Sequence, residues 1–199
     1  MRYDAQHKQR TREKVVAATA KAIRRHGPES IGIASLMGQV GLTHGGFYAH
    51  FSSKDDLLRE AILWMFDESY ALLLEALQDL PPPQRLVALV ERYLSPEHCE
   101  QRDMGCPMAA LSGDLPRMTQ TVRAAFLEGA KRSLNRLASL LEEAGYADTQ
   151  ALALSIQSEM LGAVALARAM PDTAFAQTVL TSCRDQIVHR LQLRDVPAP

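Results

Sequence analysis

The sequence predicts an all-α protein. Apolar residues recur at the three- and four-residue spacing of amphipathic helices, and neither a β-hairpin signature nor an alternating apolar run of strand length occurs. Proline and glycine residues interrupt the pattern and divide it into separate helices. With 199 residues, 47% of them hydrophobic, the chain is long enough for one sizeable core or for two closely packed subdomains.

The first predicted helix runs from about His7 to His26. Its apolar stripe includes Ala22 and Ile23, and its cations lie on the other faces. Basic residues fill the last turn, where they favour the helix dipole. Gly27 can take the left-handed conformation that ends a helix, and Pro28 prevents continuation.

Two short helices are predicted next, at about Ala34 to Val40 and His44 to Phe51. Gly41 can adopt the positive φ that is needed to leave the first of them. Leu42 can fill the space between the two helices, and Thr43 can cap the second one. The pattern therefore predicts a compact helix-turn-helix.

The second short helix has two distinct faces. Phe47 and Phe51 are four residues apart and are expected to pack against the first helix, whereas His44 and Tyr48 share another face. Two glycines follow His44, and each weakens a helix by about 1 kcal/mol. Close approach of the backbone to an anion explains them better than helix stability does.

The remaining helices are placed by their breaks. Ser53 is expected to cap a long helix that reaches about Asp79, with Asp56 as its capping-box partner. Prolines or glycines stand at or just before the other predicted starts. The further helices are predicted at about Pro83 to Leu94, Pro107 to Ser112, Pro116 to Ala144, Thr149 to Met170 and Thr173 to Leu191.

Charge is distributed unevenly along the chain. Residues 1–54 carry a net charge of about +6 and the remainder about −7, although the whole chain has a formal net charge of −1. A basic N-terminal region on an acidic body indicates a polyanionic partner at one end. A solvated helix face explains the charge alone equally well.

Several classes of protein are disfavoured by the sequence. The N-terminus lacks the pattern of a signal peptide, and the apolar stretch from Ala151 to Met170 contains Gln157, Glu159 and Arg168, so we expect a cytoplasmic protein outside the membrane. Three cysteines at unrelated spacings fit reduced thiols. No metal site, cofactor or enzymatic activity is expected, because the sequence contains none of the motifs for them.

The segment from Gly41 to Leu57, GLTHGGFYAHFSSKDDL, resembles the signature of the TetR family of repressors. The resemblance implies a helix-turn-helix DNA-binding domain at residues 1–53 and a ligand-binding and dimerisation domain at residues 54–199. It implies a homodimer on a palindromic DNA operator, released by a small-molecule inducer. Two departures, Leu36-Met37 for the usual Ile-Ala and Gly32 for a frequent Thr, concern only the helix before the turn.

The family pattern also implies which residues contact DNA. Residues at the start of the second short helix would meet bases or nearby phosphates, and those further on would meet phosphates or sugars. By position these residues are Thr43, His44, Gly45, Gly46, Tyr48, His50 and Lys54.

Large apolar and aromatic side chains on the middle helices are candidates for an inducer pocket. They could surround an apolar or aromatic compound, although each of them could equally be ordinary core. The candidates are Trp64, Met65, Tyr70, Tyr93, Met108, Met118 and Phe126.

The last two helices are the expected dimer interface. Small residues permit close approach, and apolar residues recur every four positions on the final helix, so that two subunits could build a four-helix bundle. Packing of these stripes within one chain is the alternative. The predicted interface residues are Ile156, Met160, Val164, Phe175, Val179, Cys183 and Ile187.

One cysteine suggests that a reactive chemical, in place of a bound inducer, could release the protein from DNA. Cys106 lies between Gly105 and Pro107, where it would cap a helix whose N-terminus favours the thiolate. The resembled family includes repressors that sense electrophiles through a thiol, so Cys106 is a candidate sensor of electrophiles or oxidants. The alternatives are an inert buried cysteine and a DNA-binding regulator without any small-molecule input.

Overall fold

The computed structural model describes residues 2–74, 77–193 and 195–196 of the chain. All regular structure in these residues is helical, which confirms the predicted all-α class. The α-helices are α1 (Arg2–His26), α2 (Ile33–Gln39), α3 (Lys54–Leu74), α4 (Pro82–Tyr93), α5 (Pro96–Glu100), α6 (Pro107–Leu111), α7 (Gln120–Glu143), α8 (Thr149–Ala169) and α9 (Thr173–Arg190). Two short 3-10 helices occupy His44–Ala49 and Leu115–Arg117.

Most of the predicted helix ends lie within two residues of the observed ones. Helix α1 begins five residues earlier than predicted, at Arg2, and three further differences have local causes. The helix predicted from Pro116 begins only at Gln120, because Met118 and Thr119 are extended. Pro96 was predicted as a break but starts α5, whose cap is the Ser95 hydroxyl that accepts the His98 backbone N–H. The prediction to Asp79 was too long: residues 77–80 form a turn, and residues 75 and 76 lie outside the described residues.

The N-terminal part of the molecule, which we call the head, contains α1, α2 and the 44–49 segment. Apolar side chains from each of these elements meet the start of α3, where Leu57 and Ile62 are fully buried. Burial of these side chains stabilises the head by roughly 1.5–3 kcal/mol each. The apolar side chains of the head belong to the same core cluster as those of the rest of the described chain, and α3 joins the two parts.

The body of the molecule is built on α3, α7, α8 and α9. The contact between α3 and α7 is the most extensive between any two described helices. Gly129 of α7 makes this contact possible, because a Cβ atom at this position would lie 2.1 Å from the Phe66 ring of α3. Shorter helices α4, α5 and α6 cover the sides of the body.

Helix α8 is apolar on two sides. Its inner side is buried against the rest of the chain, while Leu154 and Leu166 on its outer side are about half exposed. Among the described residues it is the one helix whose length and composition would suffice to cross a membrane. A core helix with an additional apolar outer face passes the same test of length and composition.

The close approach at Gly129 gives a stability prediction. We expect Gly129→Ala to lower the free energy of unfolding by about 1–3 kcal/mol, because the new methyl group forces Phe66 or α7 to move. Gly38→Ala is the control, since a Cβ atom there meets nothing within 4 Å and should raise helix stability by about 0.5–1 kcal/mol. Urea denaturation measures both; equal stability of the two variants would contradict the packing.

Candidate nucleic-acid interface and internal cavity

A tight turn sets the direction of the 44–49 segment. Gly41 has a φ of +76°, which favours glycine, and the Leu42 backbone N–H donates to the Met37 carbonyl at 2.8 Å. Thr43 is extended, and its hydroxyl accepts a 3.3 Å hydrogen bond from the Gly46 N–H. The predicted turn and cap are thus present, although the helix that follows is a 3-10 helix over His44–Ala49 and does not reach Phe51.

Two phenylalanines hold this segment against the molecule. Phe47 and Phe51 are buried and stacked with their ring centroids 5.5 Å apart, as their spacing predicted. The Arg12 guanidinium of α1 lies 4.3 Å from the Phe51 ring centroid and pairs with Glu60 of α3. Because both anchors point inward, the opposite face of the segment is presented to solvent.

That outer face carries most of the predicted DNA-contacting residues. Thr43, His44 and Gly45 are exposed, and Tyr48 is the most exposed large hydrophobic side chain among the described residues, at 65%. The His44 and Tyr48 rings meet edge to face at 6.4 Å, which confirms that they share one side. A Cβ atom at Gly45 would meet no neighbour within 4 Å, so the backbone there is open to approach from outside.

Cations of α1 extend this surface around His50. Burial lowers the pKa of His50, and the nearby charges of Lys8, Arg12 and His7 lower it further. Sequence reasoning counted the basic residues of this region but did not assign His7, Lys8 or Arg12 to a site. Only the fold brings the start of α1 beside the end of the 44–49 segment.

The start of α3 is fixed by a capping network. The Ser53 hydroxyl accepts the Asp56 N–H at 3.1 Å, and the Asp56 carboxylate accepts the Ser52 N–H at 3.1 Å. The Ser52 backbone hydrogen bond is the main cause that lowers the pKa of Asp56. This network fixes the start of the helix at Lys54, which is half-buried as the first residue of α3.

A cavity of about 50 Å³ lies inside the body. Three of the seven predicted pocket residues, Tyr70, Tyr93 and Met108, line it. On α3 the lining residues follow the spacing of one helix face, since Phe66, Ser69, Tyr70 and Leu73 are three or four positions apart. The other lining residues are Leu89, Cys106, Pro107, Ser133, Leu137, Gln157 and Met160.

The other four predicted pocket residues do not line this cavity. Trp64 and Met65 fall on other faces of α3: Trp64 is 37% exposed, and Met65 is fully buried with its carbonyl directed to α1. Met118 lies in the extended stretch before α7. Phe126 packs edge-on against Phe66 at 5.5 Å and lines a separate open groove.

The cavity wall contains a small polar cluster. The Tyr93 hydroxyl accepts a 3.5 Å hydrogen bond from Gln157, and its pKa is raised well above the usual value because it is buried and because Cys106 lies beside it. His98 lies 2.6 Å from the Tyr93 carbonyl through Nδ1 and accepts the Cys106 N–H at Nε2. Burial, assisted by Arg168 and Arg92, lowers the pKa of His98, so the ring is neutral near pH 7.

Cys106 occupies the predicted N-cap position of α6, with Pro107 directly after it. Its thiol makes no capping hydrogen bond, and α6 has only five residues, which offers few aligned peptide dipoles. The dipole argument for a reactive thiol is therefore weak. What the fold adds is that the buried Cys106 faces the cavity, a position the sequence did not reveal.

Four of the seven predicted interface residues are buried in the chain's own core and offer no surface to a partner, which contradicts their assignment to a dimer interface. Ile156, Met160, Val164 and Ile187 are all but inaccessible within their own chain, because α8 and α9 bury these sides against the body. Phe175 is 51% exposed, and Val179 and Cys183 are half-buried. Burial raises the pKa of the Cys183 thiol to about 11, so this thiol is protonated at neutral pH.

Two family profiles match the chain. The profile described as bacterial regulatory proteins of the tetR family covers residues 15–61, and the profile described as the tetracyclin repressor-like C-terminal domain covers residues 82–183. No curated protein matches the chain in sequence.

Solved structures share the fold over nearly the whole chain. The reduced form of Escherichia coli NemR superposes with a TM-score of 0.78 at 20% identity and covers 90% of this chain and 95% of its own. A TetR-family regulator from Cytophaga hutchinsonii gives 0.79 at 19% identity, with 92% and 96% covered. One from Chloroflexus aurantiacus gives 0.76 at 23% identity, with 94% and 96% covered.

Proposed function

The chain belongs to the TetR family of DNA-binding transcriptional regulators, and we propose that it is a repressor that binds a palindromic operator as a homodimer and is released by a small apolar or aromatic ligand. Its proposed partners are duplex DNA, a second copy of the chain and the ligand. The proposed place of action is the cytoplasm. Residues 1–53 would contact DNA, and residues 54–199 would bind the ligand and the partner copy.

The observation that carries this proposal is the outer face of the 44–49 segment. Exposed His44 and Tyr48 project from a segment that Phe47 and Phe51 hold rigidly, and the cations of α1 flank it. A rigid projecting edge with positive charge beside it suits the major groove, because base contacts require a fixed register and phosphate contacts require cations. Gly45, Gly46, His50 and Lys54 would add phosphate and sugar contacts nearby.

The proposed dimer uses the outer side of α8 together with α9. Leu154 and Leu166 project from α8, and Phe175 projects from the start of α9. Gly162 lies on the same outer side of α8 and leaves room for close approach. Pairing these faces would remove apolar surface from water, which is the main source of stability in a helical dimer interface.

The proposed ligand site is the cavity beside Tyr93. Its volume of about 50 Å³ holds a few water molecules, whereas pockets for drug-sized ligands are about 300–1,000 Å³. A ligand of ordinary size would therefore enlarge the cavity as it binds. Such a ligand lowers DNA affinity if it binds the enlarged form more tightly than the form that fits the operator.

A second candidate is release by an electrophile or oxidant that reacts with Cys106. The observation that favours it is the position of this buried thiol in the wall of a small cavity, beside the Tyr93 hydroxyl and the His98 ring. A compact reagent fits such a space better than a drug-sized ligand. An adduct on sulfur would occupy the cavity and produce the same enlargement.

The DNA contact is tested at Tyr48. We expect Tyr48→Ala to weaken binding to the DNA upstream of the protein's own gene by about tenfold or more, because a hydrogen bond to a charged phosphate is lost in each subunit. Titrations at several salt concentrations measure this loss. Leu127→Ala, which removes a comparably exposed side chain from α7, should bind like the wild type; equal affinity of all three proteins would refute the assignment.

The dimer is tested at Leu166. We expect Leu166→Glu to convert the dimer to a monomer, because the interface would have to bury an unpaired carboxylate. Sedimentation equilibrium gives the molecular mass directly. Leu127→Glu is the matched control, since Leu127 is also about half exposed but lies on α7. A Leu166→Glu protein that stays dimeric would place the interface elsewhere.

The thiol candidate is tested with N-ethylmaleimide. We expect the reagent to release the wild type from DNA and to leave Cys106→Ser bound, with Cys99→Ser and Cys183→Ser behaving like the wild type. Electrophoretic mobility shift with and without reagent measures release. Unchanged release in Cys106→Ser would exclude this cysteine as the sensor.

A further inference from the structure

The loop of residues 101–106, which joins α5 to α6, touches three different parts of the molecule. It lies against α1 of the head, against Ser69 on the cavity side of α3, and against His98 of α5. Gly105 is held closely within it, because a Cβ atom there would lie 2.8 Å from an Arg168 nitrogen. The loop is therefore packed on all these sides and cannot move without breaking contacts.

On the head side, two consecutive arginines of α1 hold the loop. The Arg24 side chain is fully buried and donates from Nη1 to the Asp103 carbonyl at 3.1 Å and to Glu68 at 2.6 Å. Its Nη2 donates to the Met65 carbonyl at 3.0 Å and to the Ser69 hydroxyl at 3.3 Å. Arg25 pairs with the Asp103 carboxylate at 2.8 Å. The backbone carbonyl and the carboxylate of Asp103 are thus both bound to α1 of the head.

On the cavity side, the same loop forms part of the cavity wall. The Ser69 hydroxyl donates to the Gly105 carbonyl at 3.4 Å, and the Cys106 N–H donates to His98 at 3.4 Å. Ser69, Leu73 and Cys106 line both the internal cavity and an outer groove of about 270 Å³. These three side chains therefore border both spaces, and the two hydrogen bonds that hold the loop here are long.

We propose that residues 101–106 act at once as the gate of the cavity and as the clamp on α1. A ligand or reagent that passes from the outer groove into the cavity displaces Gly105 and Cys106, and this displacement pulls Asp103 away from Arg24 and Arg25. The inference rests on the proposed function, in which the body controls the head. It identifies the 101–106 loop as the segment that moves, and it assigns Arg24, Arg25 and Asp103 as the residues that position this loop against α1.

Linkage makes this proposal testable without any DNA. If the gate and the clamp are one part, weakening the clamp from the head must open the gate more often. Gate opening is measured by the rate at which N-ethylmaleimide alkylates the buried Cys106, where sulfur adds to the maleimide double bond and the adjacent carbon takes up the proton. Peptide mass spectrometry reports Cys106 and Cys183 separately in the same sample.

We expect Arg25→Ala and Asp103→Ala each to accelerate alkylation of Cys106 by about two- to fivefold, the size expected for loss of a partly exposed ion pair. A purely electrostatic effect on the Cys106 thiolate would change the two alkylation rates in opposite directions. Arg25→Ala removes a cation, which disfavours the thiolate, whereas Asp103→Ala removes an anion, which favours it. Acceleration in both variants therefore reports opening. Glu143→Ala, which breaks the Arg85–Glu143 pair between α4 and α7, should leave the rate unchanged.

Two outcomes would overturn the proposal: an unchanged Cys106 rate in both variants, or equal acceleration at Cys106 and Cys183, which would report a general loss of stability. Hydrogen exchange gives a second readout, since alkylation of Cys106 should raise exchange in α1 in the wild type. A protein that binds no DNA but meets these expectations would refute the proposed function and leave the gate intact. A protein that a ligand or reagent releases from DNA, but that shows neither the faster alkylation nor the increased exchange, would refute the gate and leave the proposed function intact.

Discussion

One continuous helix, α3, carries the hydrophobic core of the molecule from the head into the body. Its first turns bury Leu57 and Ile62 in the head, and its later turns pack on α7 and line the cavity. With 21 residues the helix extends for about 30 Å. Because a packed helix moves as a rigid unit, a change at Ser69 or Tyr70 reaches the head only through α3 itself or through neighbours that touch both regions.

The buried Arg24 is the second tie between the same two regions. A fully buried guanidinium is costly unless its donors are satisfied. Here the two terminal nitrogens of Arg24 are bonded to α3 and to the 101–106 loop, whereas its buried Nε has no hydrogen-bond partner among the described residues. Such a pair contributes little net stability relative to an apolar alternative, but it fixes geometry, since breaking one partner leaves a buried charge unpaired. Arg24 therefore ties α1, α3 and the 101–106 loop to one another.

The cavity beside Tyr93 and the outer face of the 44–49 segment differ in how accessible they are to a partner. The 44–49 segment has its anchors Phe47 and Phe51 buried and its outer side chains His44 and Tyr48 exposed. The cavity is small, and its polar groups bond to one another, as Tyr93 does to Gln157. This combination supports the proposal that the unliganded form binds DNA, because a ligand of ordinary size would have to enlarge the cavity.

Much of this protein was determined by its sequence alone: the helical class, most helix ends, the turn at Gly41, the Thr43 cap and the opposed faces of the 44–49 segment. These features depend on backbone conformation and on residues within about four positions of each other. The tertiary structure decided what depends on residues far apart in the chain. It placed Lys8 and Arg12 beside His50, excluded Trp64 and Met65 from the cavity, brought Cys106 into the cavity wall, and buried Ile156 and Met160 in the chain's own core. An apolar stripe predicts that a helix face is buried. Only the packing of the helices determines whether the body, a ligand or a second copy of the chain covers that face.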